Sequence, residues 1–239
     1  MNLIIDQGNT LFKVALFNDN KLVKCNKFKY SEEIEFINWV KENYDFKINV
    51  IIGSVVNTKL DLSQLHIKNI IYLNNKTKTP IKNKYKTPKT LGLDRLSNAV
   101  AAWSIKPNSN SLIIDMGTCI KYDLVNNKGE YIGGNISLGL NMRYKALEYY
   151  TDQLPLIKKQ PLNVNYGTDT ESSILCGVQL AIINEINGFI SLYKSKFSDL
   201  TIFMTGGDTK HFEKYFKNAI FANSKLTLIG LNEILKYNA

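Results

Sequence analysis

Leu3-Ile4-Ile5-Asp6-Gln7-Gly8-Asn9-Thr10 recurs later in the chain as Leu112-Ile113-Ile114-Asp115-Met116-Gly117-Thr118. The two aspartates stand 109 residues apart in a chain of 239, near half its length. Each copy is an apolar run ending in Asp-x-Gly, followed by a second strand-like stretch over 11–17 or 119–125. A turn rich in Asn, Asp or Gly comes next, Asn18-Asp19-Asn20 or Asn126-Asn127-Lys128-Gly129, and then a third short strand. Two copies of a β-meander predict two related half-domains, because a solenoid needs three or more shorter repeats.

Outward from each meander the apolar spacing turns helical. Helices are predicted over 33–44 and 91–104 in the first half, and over 140–150 and 171–193 in the second. The last places Ile174, Val178, Ala181, Ile182, Ile186, Phe189, Ile190 and Tyr193 on one face, and Thr168-Asp169-Thr170-Glu171 reads as its capping box. Short buried strands interleave at 50–52, 70–73 and 200–204. Alternation of strands and helices predicts an α/β fold, with half-domains at 1–106 and 107–239.

Composition narrows the function classes. With 44% hydrophobic residues and 14 Gly, the chain is neither disordered nor collagen-like. The net charge of +9 rests on scattered lysines, and Arg95 and Arg143 are the sole arginines. Nucleic-acid binders concentrate Arg on one element, so nucleic acid is not the expected partner. Cys25, Cys119 and Cys176 are odd in number and lack metal-ligand spacing, which argues against disulfides and zinc and for a reducing cytoplasm. The N-terminal run, interrupted by Asp6, is not read as a signal peptide, and no apolar stretch is read as a membrane span.

An Asp at a strand end before a glycine turn suits phosphate chemistry. Gly8 and Gly117 let backbone N–H groups approach phosphate oxygens, Asn9, Thr10 and Thr118 add donors, and Asp6 and Asp115 can hold cations. Duplicated loops of this kind, facing each other across a cleft, resemble the actin, sugar kinase and Hsp70-like ATPase superfamily, whose halves are ribonuclease H-like. Neither a P-loop G-x-x-x-x-G-K-[ST] nor a Rossmann G-x-G-x-x-G is present. Thr205-Gly206-Gly207-Asp208, after an apolar run, resembles the superfamily's nucleotide-contacting turn; alone it reads equally as a turn before a helix capped by Asp208.

Leu91-Gly92-Leu93-Asp94-Arg95, placed after Asn83, Tyr85 and Pro88, narrows the resemblance to the type III pantothenate kinase family. Ser54-Val55-Val56, Gly133-Gly134-Asn135-Ile136, Leu140 to Leu147 and Asn165 to Thr170 continue the match in order. Two departures stand out: Leu138 precedes Gly139 where the family carries proline, and Cys119 follows the Asp-x-Gly-Thr turn where a small residue is usual.

The resemblance implies transfer of the γ-phosphoryl group of ATP to the primary hydroxyl of pantothenate, giving 4′-phosphopantothenate for coenzyme A synthesis. In it Asp94 is the proton acceptor, although by itself the residue reads as an N-cap or a partner for Arg95. Arg95 pairs with the pantothenate carboxylate or orients Asp94, and Gly92, Leu93, Tyr85 and Thr170 complete the substrate contacts. ATP falls to Asp6, Gln7, Gly8, Asn9, Thr10, Leu11, Phe12, Lys13 and Thr118. Asp6 organises Mg²⁺ through waters, and Asp115 holds a monovalent cation, K⁺ or NH₄⁺. The family further implies a homodimer. Lys121 is the one cation beside Asp115 in sequence, with its direction unsettled. Alternatives are another superfamily kinase or phosphatase acting on a sugar or polyphosphate, and a regulatory protein using the same fold to bind nucleic acid.

Overall fold

The structure, a computed structural model, describes residues 1–216 and 220–239. The chain divides into two compact units. Unit 1 comprises Met1–Pro107, Gly129–Tyr131 and Lys225–Ala239, and unit 2 comprises Asn108–Lys128 and Ile132–Ser224.

Unit 1 is built on the strand order β3-β2-β1-β4-β5, with β1 Asn2–Gln7, β2 Leu11–Asn18, β3 Lys21–Lys29, β4 Ile48–Ser54 and β5 Ile67–Tyr72. β1 runs antiparallel to β2 and parallel to β4, so the sheet is mixed. Leu3, Ile4 and Ile5 are fully buried, as expected where both faces of a strand are covered. Helix α1, Glu33–Asn43, contributes Phe36, Ile37 and Val40 to a core with Leu3, Ile5, Phe12 and Val14. A two-residue strand, β6 Lys82–Asn83, pairs in parallel with Glu130 and Tyr131. Helix α2, Leu93–Ile105, begins two residues later than predicted, because Pro88–Thr90 forms a short 3₁₀ turn and Gly92 takes the N-cap.

Unit 2 repeats the meander with β7 Ser111–Met116, β8 Cys119–Val125 and β9 Glu130–Leu138, the first residues of β9 grouping with unit 1. The order continues β11-β10-β7-β8-β9, with β10 Thr201–Thr205 and β11 Ile220–Ala222. β7 is antiparallel to β8 and parallel to β10, the arrangement that β1 has with β2 and β4. Helices α3 Leu140–Tyr149 and α4 Thr170–Lys194 follow, then the single turn α5 Thr209–Phe212. By length and composition α4 is apolar enough to cross a membrane, which corrects the reading that no such stretch exists. Its Ile174, Val178, Ile182 and Ile186 are buried in a core with Leu112, Ile114, Ile120 and Tyr122, so the apolar face serves this unit.

Two boundaries differ from expectation. Asp169, not Thr168, caps α4: its carboxylate accepts the Ser172 N–H at 2.9 Å while the Asp169 N–H reaches the Ser172 hydroxyl at 3.2 Å. A carboxylate is the stronger acceptor, so the box closes one residue later. The last helix, α6 Leu226–Tyr237, groups with unit 1 instead of the second half. It packs on α2, β1 and β4, and a Cβ on Gly230 would stand 1.8 Å from the Ser97 carbonyl oxygen, a contact only glycine permits.

Candidate active site

In unit 1 the first Asp-x-Gly loop is a tight connection between β1 and β2, closed by the Gly8 N–H donating to the Leu11 carbonyl at 3.1 Å. Asn9 and Thr10 are exposed on it, placed to donate to a ligand. Successive strand residues face opposite sides, and the register pairs Asp6 with Lys13 and Gln7 with Phe12. Lys13 Nζ accordingly stands 3.5 Å from Asp6 Oδ2. The next pair faces the core: Phe12 is fully buried against Phe28, Tyr30 and Phe36, and Gln7 donates to the Thr58 carbonyl at 3.1 Å. The Gln7 and Phe12 side chains are therefore removed from the expected nucleotide contacts, which leaves main chain alone at those positions. Tyr30, which no sequence signal marked, donates to the Gly8 carbonyl at 2.6 Å and props the loop. Its burial, with the nearby Asp6 charge, pushes the phenol pKa up.

Asp6 and Asp94, 88 positions apart in sequence, line one small pocket together with Ser54, Val55, Ser97 and Thr227. Asp94 is the second residue of α2, not its cap, and Oδ1 accepts the Arg95 N–H at 2.9 Å. That end of a helix suits negative charge. A Cβ at Gly92 would come within 2.6 Å of this oxygen, so glycine is what leaves the carboxylate room. Ser54 is locked by its own turn, its hydroxyl donating to the Val56 carbonyl at 2.7 Å and accepting the Val56 N–H at 3.1 Å.

Arg95 is 4% exposed, a burial that arginine rarely reaches without partners. Its guanidinium carbon lies 5.7 Å from the Tyr85 ring centre and 6.0 Å from that of Tyr131. The two rings meet edge to face at 6.0 Å. The guanidinium thus packs against both rings of a touching aromatic pair, a contact that its flat, delocalised charge suits better than the compact ammonium of lysine. Tyr131 is fully buried here, and its part was not legible because it comes from the far side of the meander.

In unit 2 the second loop is one residue shorter, with the Gly117 N–H donating to the Cys119 carbonyl at 3.1 Å. The register sets Lys121 opposite Asp115, and Lys121 Nζ lies 2.8 Å from Asp115 Oδ2. The direction of Lys121, which the sequence left open, is toward Asp115. Thr118 is exposed at the turn, and its carbonyl accepts the Gly139 N–H at 3.1 Å. Gly206, at φ +99°, lies so close to Met116 that a Cβ would sit 2.4 Å from its carbonyl carbon. The Thr205-Gly206-Gly207 turn is thus held against the second Asp-x-Gly loop, as the Asp208 N–H to Met116 carbonyl bond of 3.0 Å also shows. Asp208 heads α5 without a side-chain cap bond and pairs with Lys159 at 2.6 Å instead.

Arg143, the other arginine, holds the strand-to-helix corner: it reaches Glu185 at 2.5 Å, Ser137 at 3.1 Å and the Leu138 carbonyl at 2.9 Å. Tyr122 donates to Glu185 at 2.7 Å, and burial raises its pKa well beyond the usual tyrosine value. Thr170 opens α4 on the rim of an apolar pocket of about 1140 Å³ lined by Leu138, Arg143, Tyr150, Leu154 and Ile174. Leu138 thus occupies the family's proline position as a wall of that pocket.

No group of three or more His, Cys, Asp or Glu side chains able to hold a metal occurs among the described residues. A partly buried carboxylate that shares its pocket with a second carboxylate and with hydroxyls, as Asp6 does with Asp94, Ser54 and Ser97, fits a cation that keeps most of its waters, the habit of Mg²⁺.

The family model described as type III pantothenate kinase matches residues 2–192. A type III pantothenate kinase from Christiangramia forsetii is 42% identical over 240 residues, covering 100% of this chain and 99% of that protein. Among solved structures, a Campylobacter jejuni protein assigned to the Baf family of transcriptional activators has a TM-score of 0.61 at 19% identity, with 99% and 98% of the two chains covered. A glucokinase from an Antarctic psychrotroph has a TM-score of 0.53 at 12% identity, with the same coverage of 99% and 98%. Such distant likenesses show the fold, that of the actin-like ATPases and sugar kinases.

Proposed function

The chain belongs to the type III pantothenate kinase family, and from that premise we propose that it phosphorylates pantothenate with Asp94 as the proton acceptor. The reaction is ATP-dependent transfer of a phosphoryl group to the primary hydroxyl, giving 4′-phosphopantothenate, the first step of coenzyme A synthesis. Phosphoryl transfer runs through a loose transition state, so positioning and charge neutralisation carry most of the catalysis. The observation that supports the assignment of roles is the convergence of Asp6 and Asp94 in one pocket. Asp94 takes the hydroxyl proton as the oxygen bonds to phosphorus. Arg95, packed against Tyr85 and Tyr131, serves the pantothenate carboxylate or holds Asp94, with Gly92, Leu93 and Thr170 as the further substrate contacts that the family implies.

Asp6 holds Mg²⁺ through waters, and the ion supplies charge neutralisation at the phosphate oxygens. Gly8, Asn9, Thr10, Leu11 and Lys13 serve ATP, the main chain acting at Gln7 and Phe12, and Thr118 is the further ATP contact that the family implies. For the monovalent cation at Asp115 the fit is poor, since the Lys121 ammonium already occupies that carboxylate. A homodimer is supported by the apolar surface around α3, where Tyr149 and Tyr150 are each more than three-quarters exposed beside the pocket that α3 and α4 line. A cytoplasmic location agrees with three free cysteines.

The decisive experiment incubates purified protein with ATP, Mg²⁺ and pantothenate, with glucose as control, and reads phosphopantothenate by mass spectrometry. Phosphorylation of glucose and not pantothenate would overturn the reading. Sedimentation of the parent and of Tyr150→Asp tests the dimer: a monomeric parent removes it.

A further inference from the structure

Each unit carries the same cross-strand device. In the first hairpin Asp6 faces Lys13 across the ladder, and in the second Asp115 faces Lys121. The second turn is one residue shorter, Gly117-Thr118 against Gly8-Asn9-Thr10, so the lysines are structurally equivalent although they fall 108 residues apart rather than 109. Directly opposed residues of an antiparallel pair point to the same face, so this pairing follows from register and not from a chance rotamer. The two pairs differ in closeness. Lys13 stands 3.5 Å from Asp6, with side chains 33% and 18% exposed. Lys121 stands 2.8 Å from Asp115, with side chains 16% and 12% exposed. The second is a charge-assisted hydrogen bond largely withdrawn from water.

Resting on the kinase reading, we infer that the Lys121 ammonium takes the place of the monovalent cation at Asp115, so that this protein works without K⁺ or NH₄⁺. A primary ammonium is chemically an NH₄⁺ with one hydrogen replaced by the chain. It brings the same single charge and three donors, delivered by the fold. A K⁺ at this carboxylate would have either to displace the ammonium or to lie beside it, cation against cation in a site that water screens weakly. Removing one partner of such a pair leaves an uncompensated charge. Hence the site without Lys121 is the one that needs an external cation.

The test compares parent protein and Lys121→Gln in KCl, NaCl and choline chloride at one ionic strength, which removes general screening. Initial rates of phosphopantothenate formation by the parent should agree within about twofold across the salts, while Lys121→Gln should lose most of its rate in choline and regain it in K⁺. A second readout needs no turnover. The melting temperature of Lys121→Gln should rise with K⁺ as ligand linkage requires, and that of the parent should be the same in K⁺ and choline. A parent that is activated or stabilised by K⁺ over choline overturns the inference, and that arm stands even if the variant does not fold. A variant as active in choline as the parent overturns it too. Failure of the kinase reading is separate: the parent would then make no phosphopantothenate in any salt, while the melting arm still decides the role of Lys121.

Discussion

Asp94 and Gly92 form the smallest unit on which the proposed chemistry turns. Asp94→Asn is nearly isosteric and keeps an oxygen for the Arg95 N–H, but loses the proton-accepting charge. General-base assistance is worth roughly 10²–10⁴ in rate, so kcat should fall by about that factor with ATP affinity unchanged. Steady-state kinetics with the Asn variant check this, and parental kcat would remove Asp94 from the role. Gly92→Ala probes the same carboxylate from behind. The new methyl would stand 2.6 Å from Oδ1, and the movable end of the Asp94 side chain is what gives way. The expected result is a fall in kcat of tenfold or so, equivalent to about 1.4 kcal/mol, with an unchanged melting temperature. A variant with full kcat would mean that the Asp94 rotamer is not critical.

Helices α2 and α6 and the first turn of α4 show what whole elements contribute. Gly230 brings α6 onto α2 with a Cβ position 1.8 Å from the Ser97 carbonyl oxygen, which is backbone and cannot rotate aside. Gly230→Ala should therefore destabilise by about 1–3 kcal/mol or more, as overpacking does, although alanine is the better helix former. Denaturant unfolding measures it, and a stabilised variant would show that the helices separate freely. The α4 cap gives a pH prediction. Acceptance of the Ser172 N–H, with its hydroxyl, holds the Asp169 carboxyl below the ordinary carboxylate value. A depressed folded-state pKa contributes stability that is present above the unfolded value, near 3.9, and lost as pH falls through the lower folded value. The Ser172 amide should thus lose hydrogen-exchange protection on acidification below about pH 4, and Asp169→Ala should abolish that dependence. An equal acid response in the variant would assign it elsewhere.

At the scale of the molecule, the return of the chain to unit 1 governs stability. α6 buries Leu226, Leu228, Leu231, Ile234 and Leu235. At roughly 1.5–3 kcal/mol for each side chain, these five are comparable with the whole stability of a typical domain, about 5–15 kcal/mol. A chain ending at Ser224 should consequently lose cooperative unfolding of unit 1 and pantothenate phosphorylation together, while the core of unit 2 keeps its slow-exchanging amides. Hydrogen exchange on the truncated protein checks this, and protected β1 amides would refute it.

Much of this protein was legible in one dimension. The Asp-x-Gly repeat, the meanders and the helix positions depend on apolar spacing and turn chemistry, which act over a few residues and so survive in a linear reading. The ordered motifs from Asp6 to Gly207 carried the family for the same reason. Tertiary structure alone decided which faces these residues present and which distant partners they meet. Register turned Gln7 and Phe12 into the core and set Lys121 on Asp115. Packing buried Arg95 against Tyr85 and Tyr131, and joined the C-terminal helix to a unit that begins more than two hundred residues earlier. Such choices are settled by complementary shape and charge between segments that no local pattern links, so they exist only once the chain has closed on itself.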